Sequence, residues 1–327
     1  SYALYTNLPP AGALRGFGIP QLVWAYESHT DMMARELGMD PFEFRRRNLL
    51  REGRPQATGT VMRDAAIDQV LERLHVLMDW DQPFERGSGT VRRGRGIAIG
   101  FKACVSPTTS LAAVTVNADG SCIVYCSTAD MGQGSDTAMA QIAGEVLHMA
   151  AEAITVVHSD TDVTPYDMAT LGSRSLYHMG NAVKLAAEDA RRKLDQMRAE
   201  LGVPADAEIG DIFRKKYGMQ AGNVTGTGSF IPSYQSPDAN GLTDNATPFW
   251  MVGGSGVEVE VDTETGKVKV TRLVNVADVG TPINPRIVEA QLAGAAIMQL
   301  GFTLQEKMQF DEAGQLRNAS LAEYKIP

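Results

Sequence analysis

The spacing of apolar residues predicts a long helix over residues 20–37, with Pro20 in its first turn and Gly38 as its stop. Asp40-Pro41-Phe42-Glu43 opens a second helix: the aspartate caps, the proline takes the first turn and the glutamate the third position. Residues 84–96, rich in Gly and Arg, read as a linker, so a boundary is drawn between a helical segment, 1–90, and a second unit, 91–327. From Ile97 the period becomes two. Strands are predicted at 97–101, 111–116 and 122–125, the last two joined by a turn at Asn117-Ala118-Asp119-Gly120. Met131-Gly132-Gln133-Gly134-Ser135 leads into a helix ending near 149, and a short apolar strand covers 154–158. Gly180 opens a helix over 181–201 with an apolar stripe of Val183, Ala186, Ala187 and Ala190. Loops rich in Gly, Ser, Thr and Asn fill 221–247. Clean alternation at 257–261 and 267–270 predicts an antiparallel hairpin with one wet face. The helix predicted over 285–300 carries Ala290, Ala293, Gly294, Ala295 and Ala296, small enough for close backbone approach. Strands and helices intermix without strict alternation, which makes the fold class α+β.

Hydrophobic residues at 44% and charged residues at 21% suit a chain with a real core, and exclude a disordered or collagen-like one. With 30 Lys and Arg against 39 Asp and Glu, the net charge of -9 repels polyphosphate, so no nucleic-acid partner is expected. Cys104, Cys122 and Cys126 are an odd count without a CxxC pair, which argues against a disulfide framework, a zinc ribbon or an iron–sulfur cluster in this chain. Cys122 and Cys126 share one strand face and read as buried thiols. The five histidines, His29, His75, His148, His158 and His178, lack metal-face spacing, so no metal held by side chains is expected. No apolar run reaches the roughly 20 residues that cross a bilayer, so no membrane is expected either. Ser1-Tyr2-Ala3-Leu4 does not read as a secretory leader, which points to the cytoplasm. A chain beginning with Ser and ending on Lys325-Ile326-Pro327 is expected to be part of a longer product.

Four segments could carry chemistry, and each has an ordinary alternative. Gly132-Gln133-Gly134 precedes a helix, where unpaired amides and the dipole favour anions; a glycine turn feeding a helix has the same pattern. It lacks the third glycine of a dinucleotide fingerprint and the lysine of a P-loop. Leu171-Gly172-Ser173-Arg174-Ser175 offers hydroxyl donors along an extended stretch, or is a polar loop. Ala13-Leu14-Arg15-Gly16-Phe17-Gly18 sets a cation and an aromatic among glycines, as a ligand contact or a surface turn. Asn284-Pro285 followed by Gln291 places one amide on a small, apolar helix face, as a ligand contact or as a buried amide that found a partner.

In combination and in this order, Thr6-Asn7-Leu8-Pro9 with residues 13–21, Met131-Gly132-Gln133-Gly134, Gly180-Asn181-Ala182-Val183, Asp278-Val279-Gly280 with Ile283-Asn284-Pro285 and Gln291, and Tyr324-Lys325-Ile326-Pro327 resemble a known family. It is the molybdopterin-binding subunit of the molybdenum hydroxylases, the xanthine dehydrogenase and aldehyde oxidase family. The resemblance implies a molybdenum-cofactor-binding fold of mixed sheets and packed helices in two lobes, with residues 1–90 continuing a cofactor-binding lobe. It implies a small-molecule substrate, hydroxylated at an aldehyde or N-heterocycle carbon with oxygen from water. The cofactor implied is molybdopterin with molybdenum, in the cytosine dinucleotide form, while 2Fe-2S clusters and FAD belong to partner domains or subunits.

Residue by residue, the resemblance puts Arg15 beside the molybdenum and Phe17 on the substrate ring. It puts Gly132, Gln133 and Gly134 on the pterin and its phosphate, Gly172 against the metal, Ser173 and Ser175 on the pterin, and Gln291 near the phosphate. The family's catalytic glutamate is expected beyond Pro327, so no catalytic residue is assigned within this chain, and the loop carrying a metal-side glutamine is expected before Ser1. Where purine-binding members carry phenylalanine and threonine, this chain has Lys102 and Ala103, which speaks against a purine bound in that manner. The chain alone is therefore expected to be an inactive part, either a truncated product or one subunit of an enzyme whose cofactor-binding part is divided between polypeptides. A non-catalytic scaffold or partner-binding module of the same fold is the alternative, and a nucleotide-binding domain using the Gly132 loop is a third.

Overall fold

The computed structural model describes residues 4–10, 12–104, 106 and 108–327. The leader reading at Ser1, Tyr2 and Ala3, and Ala11 of the N-terminal lead, lie outside the described residues. Helix α1 (Ile19–Glu36) has Pro20 in its first turn. Helix α2 (Pro41–Asn48) is capped by Asp40, whose carboxylate accepts from the Phe42 and Glu43 amides. Helix α3 (Ile67–Leu77), absent from the predicted elements, buries Ile67, Val70, Leu71 and Leu74 at helical spacing. Strands β1 (Val91–Ala103), β2 (Ser110–Asn117) and β3 (Cys122–Cys126) follow, then α4 (Ser135–Leu147), β4 (Ile154–His158), α5 (Gly180–Leu201) and α6 (Ile209–Tyr217). The last third holds β5 (Asn223–Phe230), β6 (Trp250–Asp262), β7 (Val268–Asp278) and α7 (Pro285–Leu304).

Two sheets carry these elements. In the first, order β1-β6-β7, every pairing is antiparallel. In the second, order β4-β3-β2-β5, β3 and β4 pair in parallel and the rest antiparallel. The α+β class and the mixed sheets hold. Phe42, Ile67 and Val70 from before residue 90 share one core with Ile97, Ile99 and Val252 from after it. The outward backbone groups of β1 are covered by α1: Glu27 accepts from the Ile99 amide at 2.9 Å, and the Tyr26 hydroxyl donates to the Ile99 carbonyl at 3.2 Å. Glu27 also accepts from Arg45 of α2 at 2.8 Å, so one buried carboxylate ties two helices to a strand edge.

Three expectations need correction. The linker reading of 84–96 fails from residue 91 onward, because Val91 to Gly96 pair with Asp262 to Val257 of β6. The loop reading of 221–247 misses β5, and the nearby α6 was not foreseen. Glycines at 226 and 228 depress strand propensity, but the fold needs them. A Cβ at Gly226 would overlap the Ala186 carbonyl and the Ala190 amide, and one at Gly228 the Ala182 carbonyl. The alanine stripe of α5 thus lies backbone-close on β5. Finally, α7 runs four residues beyond its predicted end and, by length and composition alone, is long and apolar enough to cross a membrane. The charged Arg286 and Glu289 interrupt the apolar run in sequence, so its uninterrupted length stays below 20 residues.

Candidate cofactor-binding site

The loop from Ala129 to Asp136 leaves β3 and enters α4 through Gly134, which has φ 78. Several of its amides are already taken within the loop. The Asp130 carboxylate accepts from the Gly132 amide at 2.8 Å, from Gly134 at 3.4 Å and from Asp136 at 3.2 Å. Gln133 folds back as well: its Oε1 accepts from the Met131 amide at 2.5 Å, and its Nε2 donates to the Ala129 carbonyl at 2.7 Å. The reading of this loop as a cradle of unpaired amides is corrected for Gly132, Gly134 and Asp136, whose partner Asp130 is the residue it missed. An aspartate two positions before a turn glycine was the available signal. Partial burial opposes ionisation of Asp130, but the amides of Gly132, Asp136 and Gly134 and the Ser135 hydroxyl outweigh it and hold its pKa below the usual carboxylate value. Beside the loop, the buried Thr128 hydroxyl has no hydrogen-bond partner among the described residues.

The second segment is anchored by a side chain that sequence reasoning left without a role. Arg174 is fully buried, pairs with Asp167 at 2.5 Å, and donates to Ser110 Oγ at 2.7 Å and to the Ala169 carbonyl at 2.9 Å. Its neighbours therefore turn outward. Gly172 and Ser173 both have left-handed backbones, φ 63 and φ 66, and the Cβ side of Gly172 is open. Ser175 begins a π-helical turn, Ser175–Met179, that feeds α5. Here His178 is buried, its Nε2 lies 2.8 Å from the Ser106 carbonyl, and burial lowers its pKa.

The third part joins the ends of the chain. Arg15 Nη2 donates to the Gln291 side-chain oxygen at 2.7 Å and to the Gln291 carbonyl at 3.0 Å, bridging 276 positions of sequence. One turn earlier on the same face of α7, Ile287 lies where a Cβ on Gly134 would come within 2.7 Å of it. Asn284 caps α7 by accepting from the Ile287 amide, and its amide group donates to Gln141 of α4 at 3.2 Å.

Arg15, Gln291 and the 132–134 loop are thus gathered along one face of α7. The Ala129 amide donates to Thr170 Oγ1 at 2.8 Å, which couples that loop to the 170–175 segment. Not everything converges. A cleft of about 1270 Å³ is lined by Ser173 together with Tyr177, Asn181, Trp250, Met251 and residues 278–283, but not by Arg15, Gln133 or Gln291. Phe17, at φ 55, is 68% exposed, and its ring pairs with no other aromatic among the described residues. No cluster of three or more His, Cys, Asp or Glu residues able to hold a metal occurs among the described residues. The surface offers a guanidinium, amide groups, hydroxyls and open glycines, a donor set suited to a flat, phosphorylated, heteroatom-rich ligand that brings its own metal.

Comparison with known proteins assigns the chain to a family. The family described as molybdopterin cofactor-binding domain matches residues 73–327, and a second model of the same description matches 1–49. The xanthine dehydrogenase molybdenum-binding subunit of Escherichia coli O157:H7 is 31% identical over 100% of this chain and 46% of its own length. The nicotine 6-hydroxylase large subunit of Paenarthrobacter nicotinovorans is 29% identical over 98% of this chain and 43% of its own. The crystal structure of the aldehyde oxidoreductase from Desulfovibrio desulfuricans superposes with a TM-score of 0.82 at 28% identity, covering 96% of this chain and 34% of that one. This chain spans less than half the length of these relatives. With the family match running over most of its residues, the chain belongs to the molybdopterin cofactor-binding domain family, as part of a molybdopterin-binding subunit of the molybdenum hydroxylases.

Proposed function

We propose that this chain supplies much of the cofactor-binding surface of a cytoplasmic molybdenum hydroxylase that oxidises an aldehyde or N-heterocycle carbon. The observation that carries the proposal is the meeting of Arg15, Gln291 and the 132–134 loop on one face of α7, from three distant parts of the sequence. Molybdopterin, in the cytosine dinucleotide form, supplies two-electron oxidation when bound, with oxygen drawn from water. Arg15 and Gln291 orient its polar groups. The 132–134 loop, its Gly132 and Gly134 amides already held by Asp130, contributes shape, the Gln133 amide and the edges of the Gln133 side chain. Gly172, open on its Cβ side, gives the metal end close access to backbone, and Ser173 and Ser175 add hydroxyl donors. Phe17 takes the substrate ring. The general base is a glutamate from the remainder of the subunit, and electrons leave through 2Fe-2S and FAD partners.

The exposed face of α7 supports that division of labour. Among its residues only Gly301 is buried, while Ile297, Met298 and Phe302 are exposed. An apolar face of this kind marks an interface, and the rest of the subunit, rather than a bilayer, is its proposed cover. The test is molybdenum and pterin analysis of the complete subunit expressed in a host that makes the cofactor. Stoichiometric metal and pterin are expected, and Gln133→Ala, which removes the side-chain bonds of Gln133 to Met131, Ala129 and Ser135, is expected to lower occupancy several-fold. Wild-type protein devoid of both would overturn the proposal. Full occupancy in the variant, with loss only of subunit association, would favour the scaffold reading instead.

A further inference from the structure

The two sheets end in four edge strands, and they are not treated alike. On β1, the outward N–H and C=O of Ile99 are taken by Glu27 and Tyr26 of α1. On β5, Asp189 of α5 accepts from the Thr227 amide at 3.1 Å, and Lys193 donates to the Thr225 carbonyl at 2.8 Å. β4 is only five residues long. Short strands and side chains laid over the edge are ordinary ways of blunting it. β7 has eleven residues, and its backbone hydrogen-bonds to nothing but β6 among the described residues. Which of its groups are open follows from the register. Successive residues of an antiparallel strand face alternate neighbours. Ile99 points away from β6, so Gly254 opposite it points away from β1 and toward β7. Val276, opposite Gly254, therefore faces β6, as does Val274, whereas Leu273, Asn275 and Ala277 turn their N–H and C=O outward.

The stretch is regular as well as open. Thr271 is an extra residue between the pairs Glu258–Arg272 and Val259–Val270, so the bulge disturbs only the start of β7. From Arg272 to Asp278 the pairing is unbroken and contains no proline. Val274 and Val276 pack at the rim of the core that holds Phe42, Ile67, Ile99 and Val252, so a strand laid beside them would extend an apolar surface. A second copy of this chain gains no charge pairing here. Two-fold antiparallel pairing centred on Asn275 sets Arg272 against Asp278. Yet Arg272 already pairs with Asp79 and Glu258, and Asp278 already accepts from the Ala66 and Gly280 amides. The relatives, by contrast, carry more than half of their length outside the region this chain spans. A segment of the same polypeptide reaches the edge at high effective concentration.

We propose that residues 272–278 of β7 dock an extended segment from the remainder of the subunit, which adds a fourth strand to the β1-β6-β7 sheet through the N–H and C=O groups of Leu273, Asn275 and Ala277. The incoming segment has about five or more residues in alternation, with its apolar side chains beside Val274 and Val276. This goes beyond the hydroxylase reading and needs none of its chemistry. The experiment is residue-resolved amide exchange, read by fragmentation mass spectrometry, on the complete subunit alone and in its assembly. It is run at two concentrations tenfold apart, with the mass followed by light scattering. The amides of Leu273, Asn275 and Ala277 are expected to exchange within about tenfold of the β6-facing amides of Val274 and Val276, in monomeric subunit and at both concentrations. Exchange faster than that in the wild-type subunit would overturn the docking site. Protection lost on dilution, in step with dissociation of a dimer, would give the edge to a second copy and overturn the assigned occupant. Protection present only in the assembly would overturn it too, in favour of a partner subunit. Asn275→Pro removes an outward N–H and leaves the β6 ladder its donors, and Asn275→Ala controls for the side chain. Proline is expected to speed exchange at Leu273 and Ala277 at least about tenfold over the alanine variant. Equal exchange in the two variants would overturn the pairing, and if the proline variant does not fold, the wild-type comparison decides alone.

Discussion

Replacing Arg174 by Met tests whether the 172–175 segment is held from below. The Arg174 side chain is 0% exposed and that of Asp167 is 1% exposed, so the substitution leaves a carboxylate in the interior with only the Ser110 hydroxyl, 2.7 Å away, as a partner. The Ala169 carbonyl and Ser110 Oγ lose a donor as well. Breaking one side of a buried ion pair costs about 3–5 kcal/mol, since the stranded charge retains its desolvation penalty. The lost hydrogen bonds overlap with that figure and are not added to it. Urea denaturation of the complete subunit should show a midpoint shift equivalent to about 3–5 kcal/mol, together with faster amide exchange across 170–175. Arg174→Lys, which keeps charge but loses the fork, should fall between. Replacing both partners, Arg174→Met with Asp167→Leu, should recover most of the loss because no charge is left stranded. A single-variant cost below about 1 kcal/mol, or a double variant no better than the single, would refute the assignment of Arg174 as the anchor.

Gly226→Ala should destabilise by about 3 kcal/mol or more, or prevent folding, because the methyl meets backbone of α5 rather than a movable side chain; thermal unfolding checks it, and a melting point within a degree of wild type contradicts the packing described. The order of the 130–136 loop depends on pH with a defined sign. Since the folded pKa of Asp130 is depressed, its stabilisation is complete above the unfolded value of about 3.9 and disappears as pH falls through the lower folded value. Amide protection at Gly132 and Gly134 should therefore drop in that acid range, and Asp130→Asn should show the acid-like protection already at neutral pH; equal protection in both proteins would dismiss Asp130 as the loop's anchor.

Much of the architecture was legible along the chain because local signals agreed with the tertiary ones. Asp40-Pro41 capped a helix, the alternation at 257–261 and 267–270 made a hairpin, and the α5 stripe faced inward. What escaped was wherever packing overrode propensity. β5 was hidden by Gly226 and Gly228, residues that weaken a strand in isolation and are required only because a helix backbone lies on them. The extension of β1 back to Val91 was hidden by Arg92, Arg93 and Gly94, whose pairing partners lie about 167 positions away.

For the site, the sequence alone determined which residue types stood in which order, and that order sufficed for the family. Only the fold decided that Arg15 meets Gln291, that Gly134 nests on Ile287, and that Asp130 already occupies the Gly132 and Gly134 amides. The reason is physical. Side-chain type and short-range spacing are written locally, whereas the state of a donor or a charge depends on atoms that distant segments bring, or fail to bring, within about 3 Å.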